Sequence, residues 1–512
     1  MTKMKRLILT VAAVIVSAAA FAQTSISIHE NQTDGQIIPK EIYGQFSEHL
    51  GSCIYGGIWV GPDSPIPNED GYRLDVLNAL KELAVPVLRW PGGCFADDYH
   101  WMDGIGPQEQ RTKISNNNWG GTMEDNSFGT HEFLNLCEKL GCEAYISGNV
   151  GSGTPEELAK WVEYMTSDLP STVVDMRKAN GREKAWKVKY LGIGNEAWGC
   201  GGNMFPEYYS SLFRRYTTYT RSYGDNHLYK IASGASDYDY NWTETLMKNI
   251  GTMMEGIAVH YYTVRDWNDK GSATDFTDTE YALTLSKAVD IDKCLQQHIK
   301  IMDRIDPEKK IDLLVDEWGT WYNVEPGTNP GHLFQQNTMR DAIVAALSLN
   351  IFHKYTDRIK MANIAQVVNV LQAMILTNME GQMVLTPTYH AFEMYKIFQD
   401  AEFVPVENEA GLKVVKGETY PSVDVTAAKK DGSVRIALTN TDLKKDEKVV
   451  LSLDGKAKDV VARILTCNDI HECNTFDKPH TIEPHDYFSY KVKNGQIEVT
   501  VPAHSIVTLV VK

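Results

Sequence analysis

A chain of 512 residues is too long for one ordinary hydrophobic core, which predicts a large domain with a smaller one attached. Its 43% hydrophobic and 23% charged residues lie in the globular range and exclude extensive disorder. A formal charge of −17 argues against nucleic acid or an anionic membrane as partner and suits action on a neutral polymer.

In chain order, Lys3, Lys5 and Arg6 precede an apolar run, and Ala20-Phe21-Ala22 fits the small-x-small rule for leader removal. Residues 1–22 are therefore expected to be a cleaved signal peptide. That predicts an exported protein, periplasmic or secreted, with no membrane insertion after cleavage. Residues 24–28 alternate as a short strand. From Ile42-Tyr-Gly-Gln-Phe-Ser-Glu-His a rhythm sets in. A helix over 74–83 leads to a buried strand at 85–90 that ends in Pro91-Gly-Gly. A helix over 132–140, stopped by Gly141, leads to a strand at 144–149. Helix 155–165, strand 188–196, helix 206–222, strand 231–234, a helix around 244–249, strand 257–262, helix 281–305 and strand 311–318 follow.

Strands and helices alternating at this spacing imply parallel βα units, and about eight of them imply a closed (β/α)8 TIM barrel. An open doubly wound sheet is the runner-up, but no Gly-x-Gly-x-x-Gly opens a βα turn and no phosphate loop is present. Past about residue 375 the character changes to short β runs such as Val434-Arg-Ile-Ala-Leu and Ile506-Val-Thr-Leu-Val. Asp431-Gly432, Asp454-Gly455 and Asn494-Gly495 punctuate them as tight turns. The expected organisation is a catalytic barrel over 41–375 and an all-β, jelly-roll-like sandwich over 376–512. Residues 23–40 are expected to add a strand to the sandwich.

Barrel enzymes carry their working residues at the C-terminal ends of the strands. The polar residues there are Glu48, Arg89, Asn149, Asn195, Glu196, His260, Tyr262 and Glu317. Glu196 is expected to end the fourth strand and Glu317 the seventh. Two carboxylates among neutral hydrogen-bonding groups and one Arg, with no metal-ligand spacing, point to glycoside hydrolysis without metal or cofactor. Arg89 and Tyr262 would keep Glu317 ionised as nucleophile; Trp198, Cys200 and glycines around Glu196 would raise its pKa for acid/base work. Trp101, Trp119, Trp267, Trp318 and Trp321 are candidates to stack on sugar rings; Trp119 and Trp267, on loops, are the preferred pair, and Trp318 is assigned to packing. His260 is read as holding its neighbours in place. Of eight cysteines, Cys467 with Cys473 and then Cys137 with Cys142 are the local pairs that could bridge.

Several long motifs then carry a resemblance. Gly44-Gln-Phe-Ser-Glu-His-Leu-Gly, Arg89-Trp-Pro-Gly-Gly-Cys-Phe-Ala-Asp, Gly192-Ile-Gly-Asn-Glu-Ala-Trp-Gly, His260-Tyr-Tyr-Thr, Lys270-Gly-Ser-Ala-Thr-Asp-Phe, Asp316-Glu-Trp-Gly-Thr-Trp-Tyr and Ala362-Asn-Ile-Ala-Gln occur in this order. Together they resemble family 51 glycoside hydrolases, mainly α-L-arabinofuranosidases. The resemblance implies a (β/α)8 barrel with a β-sandwich, a retaining mechanism, Glu196 as acid/base and Glu317 as nucleophile. It implies sugar-binding or nucleophile-positioning roles for Glu48, Asn195, Tyr262 and Gln366. Many members have Asn where this chain has Cys94, so Cys94 is expected to contact sugar; read from its residue type alone, it is equally a small buried filler.

The reading is thus an exo-acting enzyme that releases terminal arabinofuranosyl units from arabinan- or arabinoxylan-type plant polysaccharides or oligosaccharides. A homo-oligomer is the weaker expectation of the resemblance. An endo-β-glucanase or xylanase is the alternative enzyme, and a non-catalytic carbohydrate-binding protein the alternative class. The presence of both glutamates with Arg89 and Tyr262 argues against the latter.

Overall fold

The computed structural model describes residues 23–512. Eight parallel strands close into a barrel: Gly44–Phe46, Val87–Trp90, Glu143–Gly148, Tyr190–Ile193, Tyr229–Ser236, Gly256–Thr263, Asp312–Thr320 and Ile359–Ala365. They are called the first to eighth barrel strands below. Strands covered by helices outside and side chains inside are apolar without alternation, and the second and fourth are buried at every residue.

Val87, Tyr145, Tyr190, Ile231, Ala258, Leu314 and Met361, one from each of the second to eighth strands, pack together inside the barrel. The first strand contributes Gly44. A Cβ at that position would lie 2.4 Å from Asn363 Nδ2 and 2.6 Å from Val87 Cγ1. Closure of the barrel at this seam therefore requires the missing side chain.

The helices begin and end where short-range chemistry directs. Thr154 Oγ1 accepts from the Glu157 N–H at the start of Pro155–Thr166, and Gly141 takes a left-handed φ of 70° after Thr130–Leu140. The helix expected over 206–222 is Pro206–Tyr219, because Thr220 turns to extended backbone. Met339–Lys354 was not anticipated as a helix. All but its last residue are buried. It is wedged between the barrel and the sandwich, so it has no polar face to give a helical period. Thr172–Ala179 and the hairpin Ile114–Asn116/Thr122–Glu124 were also not read from the sequence.

The C-terminal β region is two packed sheets. One runs Glu402–Val404, Val423–Lys430, Ser433–Asn440, Ser505–Val511, Val460–Leu465 and His485–Asp486; the other has five strands, among them Glu447–Leu453 and Gln496–Val501. Thr24–Ile28 lies in the five-stranded sheet, parallel to Glu447–Leu453. Its Ile26 and Ile28 enter the core shared with Val425, Ile436, Leu451 and Leu509. The barrel-plus-sandwich architecture expected from the change in run lengths is the one found. At their junction His353 is buried between the Tyr43 hydroxyl, 2.7 Å away, and Thr426 Oγ1, 3.0 Å away. Among the described residues, no helix is long and apolar enough to cross a membrane.

Candidate active site

The C-terminal ends of the strands surround a cavity of about 360 Å³ lined by Glu48, Cys94, Glu196, His260, Tyr262, Glu317 and Gln366. Trp119, Trp198, Trp267 and Trp321 form its aromatic wall. The two glutamates singled out by the sequence share this cavity, and their settings differ.

Glu317 lies within the seventh strand and is buried. Arg89 Nη1 donates to its Oε2 at 3.0 Å and the Tyr262 hydroxyl donates to its Oε1 at 2.7 Å. Each oxygen thus has a donor, and the pair fixes the plane of the carboxyl. Burial alone disfavours the Arg89 cation, but Asp316, Tyr145 and Glu317 outweigh it and hold its pKa above the usual value. Arg89 also donates to the Asp316 carbonyl and to Asn195 Oδ1, linking three strands in one plane.

Glu196 stands three residues past the end of the fourth strand. Its φ of 41° is left-handed, an unusual conformation for a non-glycine residue. The turn is held by backbone N–H groups of Gly199 and Gly201, both donating to the Glu196 carbonyl, and by the Ala197 N–H on Ser233 Oγ at 3.1 Å. Gly201 must be glycine, since a Cβ would fall 1.8 Å from the Asn195 carbonyl oxygen. Burial raises the Glu196 pKa and the nearby Glu317 charge adds to the rise, while the His260 hydrogen bond opposes it. One carboxyl is therefore fixed by two donors and the other is pushed towards its protonated form.

His260 joins the two. Its Nδ1 lies 2.8 Å from Glu196 Oε1 and 3.5 Å from Glu317 Oε2, and its Nε2 faces Asp316 Oδ1 at 3.2 Å. Single ligand atoms of Glu196, His260 and Glu317 all fall within 4.8 Å of one another. A cation could be held by such a set, but the Arg89 guanidinium and Tyr262 hydroxyl already occupy the Glu317 oxygens.

Glu48 forms the opposite wall. Its Oε1 accepts from the Phe95 N–H at 3.0 Å and from Trp119 Nε1 at 2.8 Å, and its Oε2 accepts from Gln366 Nε2 at 3.0 Å. Burial and the Glu317 charge push its pKa to about 7. Gly93 must lack a side chain here, because a Cβ would meet Glu48 Oε1 at 2.2 Å. The Pro-Gly-Gly motif is thus the floor on which Glu48 rests. Trp119 sits at the tip of the hairpin. Asn116 Oδ1 accepts from its backbone N–H at 2.9 Å, and His49 Nδ1 pairs with Glu124 Oε2 at 3.0 Å. Trp90 Nε1 donates to His49 Nε2, so Nδ1 carries the proton given to Glu124.

Not every expected residue reaches the cavity. Trp101 is buried with Nε1 donating to the Glu157 carbonyl, and Trp318 is buried against Phe352 and Phe392. Asn149 turns away from the cavity to cap the loop that follows the third strand, accepting from Ser152 and Gly153 N–H. Asn195 gives its backbone N–H to Asp97 Oδ2 at 3.0 Å, and burial pushes the Asp97 pKa to about 7. Ser236, Asp237, Leu333 and Leu371 line the cavity without a sequence signal to find them.

The cysteine expectations need correction. Cys94 and Cys200 form a disulfide, while Cys137, Cys142, Cys467 and Cys473 are free. The bonded pair is 106 residues apart and meets only because the turns after the second and fourth strands converge. Spacing along the chain could not show that. Cys94 is a half-buried part of the cavity wall rather than a core filler.

The chain is similar to known α-L-arabinofuranosidases. Residues 79–279 match the model of the α-L-arabinofuranosidase 1 domain and residues 316–505 that of the α-L-arabinofuranosidase C-terminal domain. An intracellular exo-α-L-arabinofuranosidase of Bacteroides ovatus is 59% identical over 498 residues, 96% of either chain. The crystal structure of a GH51 arabinofuranosidase from Xanthomonas axonopodis pv. citri superposes with a TM-score of 0.94 at 47% identity, covering 96% of this chain and 100% of that one. An arabinose complex of the Thermotoga maritima α-L-arabinofuranosidase gives 0.84 at 30% identity, covering 95% and 99%. The expectation of a signal peptide and export is overturned by the first of these, since a full-length relative this similar is named intracellular. The leader itself was read on residues 1–22, which lie outside the described residues.

Proposed function

This chain belongs to glycoside hydrolase family 51 and is an α-L-arabinofuranosidase, and on that premise we propose that it is exo-acting and retaining, with Glu317 as nucleophile and Glu196 as acid/base. The observation that carries the assignment is the contrast between the two carboxyls. Arg89 and Tyr262 donate to Glu317, whereas burial and the Glu317 charge raise the pKa of Glu196.

Glu317 attacks the anomeric carbon as Glu196 gives its proton to the departing oxygen, leaving an arabinofuranosyl ester on Glu317. Glu196, now ionised, takes a proton from water, which displaces Glu317 and releases arabinose. One oxygen of Glu196 lies within 4.8 Å of one oxygen of Glu317, a close approach in keeping with this double displacement. An inverting pair, about 6.5–9.5 Å apart, would leave room for a water between them. Asn195, whose Oδ1 accepts from Arg89 and whose backbone N–H donates to Asp97, is the residue assigned in this scheme to donate to the sugar 2-hydroxyl.

A cavity of about 360 Å³ walled by four indoles suits one terminal sugar better than a long chain, which supports release of single units from arabinose-containing polysaccharides or oligosaccharides. The test is proton NMR of the first product formed from an aryl α-L-arabinofuranoside, with chromatography of a linear arabinan digest. Early α-arabinofuranose and only monosaccharide support the proposal. An initial β-anomer would sink the retaining mechanism, and early oligosaccharides would sink the exo mode.

A further inference from the structure

The barrel sets two cysteines against Glu196 that take no part in the proton transfers and displacements described above. Cys94 opens the short helix after the second strand, Cys200 lies in the glycine loop after the fourth, and a disulfide joins them. The Cys200 sulfur is 3.4 Å from Glu196 Oε2 and the Cys94 sulfur 4.0 Å from it. Ligand atoms of all three residues fall within 4.8 Å of one another. Cys200 is exposed and Cys94 lines the cavity, so reductant and ions reach both.

We propose that, once the Cys94–Cys200 bond is reduced, the two thiolates and the Glu196 carboxylate bind one thiophilic divalent cation of the zinc class at the cavity mouth. Tetrahedral zinc with bonds of about 2.3 Å to sulfur and 2.0–2.2 Å to oxygen requires sulfur–oxygen separations of about 3.5 Å. The present separations, 3.4 and 4.0 Å, already lie near that value. Only the two sulfurs must part, which reduction allows. Two thiolates beside a carboxylate select zinc or cadmium over magnesium or calcium, which prefer oxygen ligands.

The steps balance. A dithiol reductant gives two electrons and two protons to the sulfur–sulfur bond, leaving thiols at Cys94 and Cys200 and a disulfide in the reductant. The cation then displaces one proton from each thiol, and one from Glu196 where that carboxyl is protonated. Affinity therefore rises with pH. A metal-bound Glu196 has no proton to give the leaving group. This inhibitory consequence rests on the acid/base role proposed for Glu196; the binding itself does not.

The test uses full-length enzyme, oxidised or reduced by a dithiol that is then removed without air. Cadmium reports binding through its thiolate charge-transfer band and by equilibrium dialysis; zinc reports inhibition. We expect the reduced enzyme to bind one equivalent more cadmium than the oxidised one, and zinc to inhibit it at about tenfold or more lower concentration. Cys200→Ser and, as a second variant, Cys94→Ser should each lose the extra equivalent. Cys142→Ser, at the other close thiol pair, should keep it. Absence of an extra equivalent on reduction overturns the proposal, as does its persistence in both serine variants. Cation bound at the pair without inhibition upholds the site and counts instead against Glu196 as acid/base.

Discussion

His260 Nδ1 lies 2.8 Å from Glu196 Oε1, so the sixth barrel strand is tied to the carboxyl carried beyond the fourth. Burial opposes charge on this ring, but Glu317, Asp316 and Glu196 outweigh it and raise its pKa to about 10. The ring is thus an imidazolium through the neutral range, and it faces both glutamates at once. It stabilises charge on Glu317 and restrains the rise in the Glu196 pKa. Without such a cation, two carboxylates this close would compete for one proton.

Replacing it gives the first prediction. His260→Gln removes a positive charge that favours ionised Glu196, so the Glu196 pKa should rise further. An acid that keeps its proton to higher pH moves the basic limb of the kcat/KM profile in the alkaline direction. The peak rate should fall by about 10- to 100-fold, because Glu317 and Asp316 lose the same partner. A profile measured on an aryl arabinofuranoside decides it. A basic limb that moves towards acid would contradict the role given to the ring.

Tyr262→Phe removes one donor from Glu317 and leaves Arg89 in place. The lost hydrogen bond fixed Glu317 Oε1, so the nucleophile should be less well oriented for attack. One preorganised donor at a reacting group is worth about 10²-fold in kcat. Steady-state kinetics should show the loss mainly in kcat. A pure KM effect would make Tyr262 a binding group instead.

Glu317→Ala tests the nucleophile itself. Turnover should drop by at least ~10³-fold, since no other carboxylate can reach the anomeric carbon from that position. Azide, small enough to enter the vacated space, should restore turnover of an activated aryl glycoside. The product should be the glycosyl azide of inverted configuration. Recovery with retained configuration would point to a different nucleophile.

Much of this site was legible because barrel chemistry is tied to strand ends. Glu48, Arg89, Asn195, Glu196, Tyr262 and Glu317 each stand at or just past a run of apolar residues, and the structure brings them together. What escaped the sequence depends on contacts between distant turns. Cys94 meets Cys200 only through barrel closure, and Asp97 gains its place by collecting N–H groups from Val150, Gly151 and Asn195. The helix Met339–Lys354 escaped for the opposite reason. Buried on all sides, it has no amphipathic period to betray it.

Trp119 shows a loop residue whose role is set by a hydrogen bond as well as by its ring. Its Nε1 donates to Glu48, and its hairpin is pinned by Asn116 and the His49–Glu124 pair. Trp119→Phe keeps an aromatic face and deletes that donor, so KM should rise about 5- to 10-fold with kcat changed less. An unchanged KM would mean that the indole N–H does no more than fill space.

Gly44 offers a test of the barrel that is separate from its chemistry. A methyl group there would stand 2.6 Å from Val87 Cγ1 and 2.8 Å from the Ala362 carbonyl oxygen. Two strands would have to spread to admit it, at a cost of about 1–3 kcal/mol. Gly44→Ala should therefore lower the denaturation midpoint. Val87→Ala on its own should also destabilise, by opening a void in the interior layer. Because the added methyl can occupy part of that void, the double variant should lose less than the sum of the two single losses. Urea unfolding of all four proteins measures the coupling. Strict additivity would show that Gly44 and Val87 do not compete for the same space, and that the contacts with Asn363 Nδ2 and the Ala362 carbonyl close the seam without Val87.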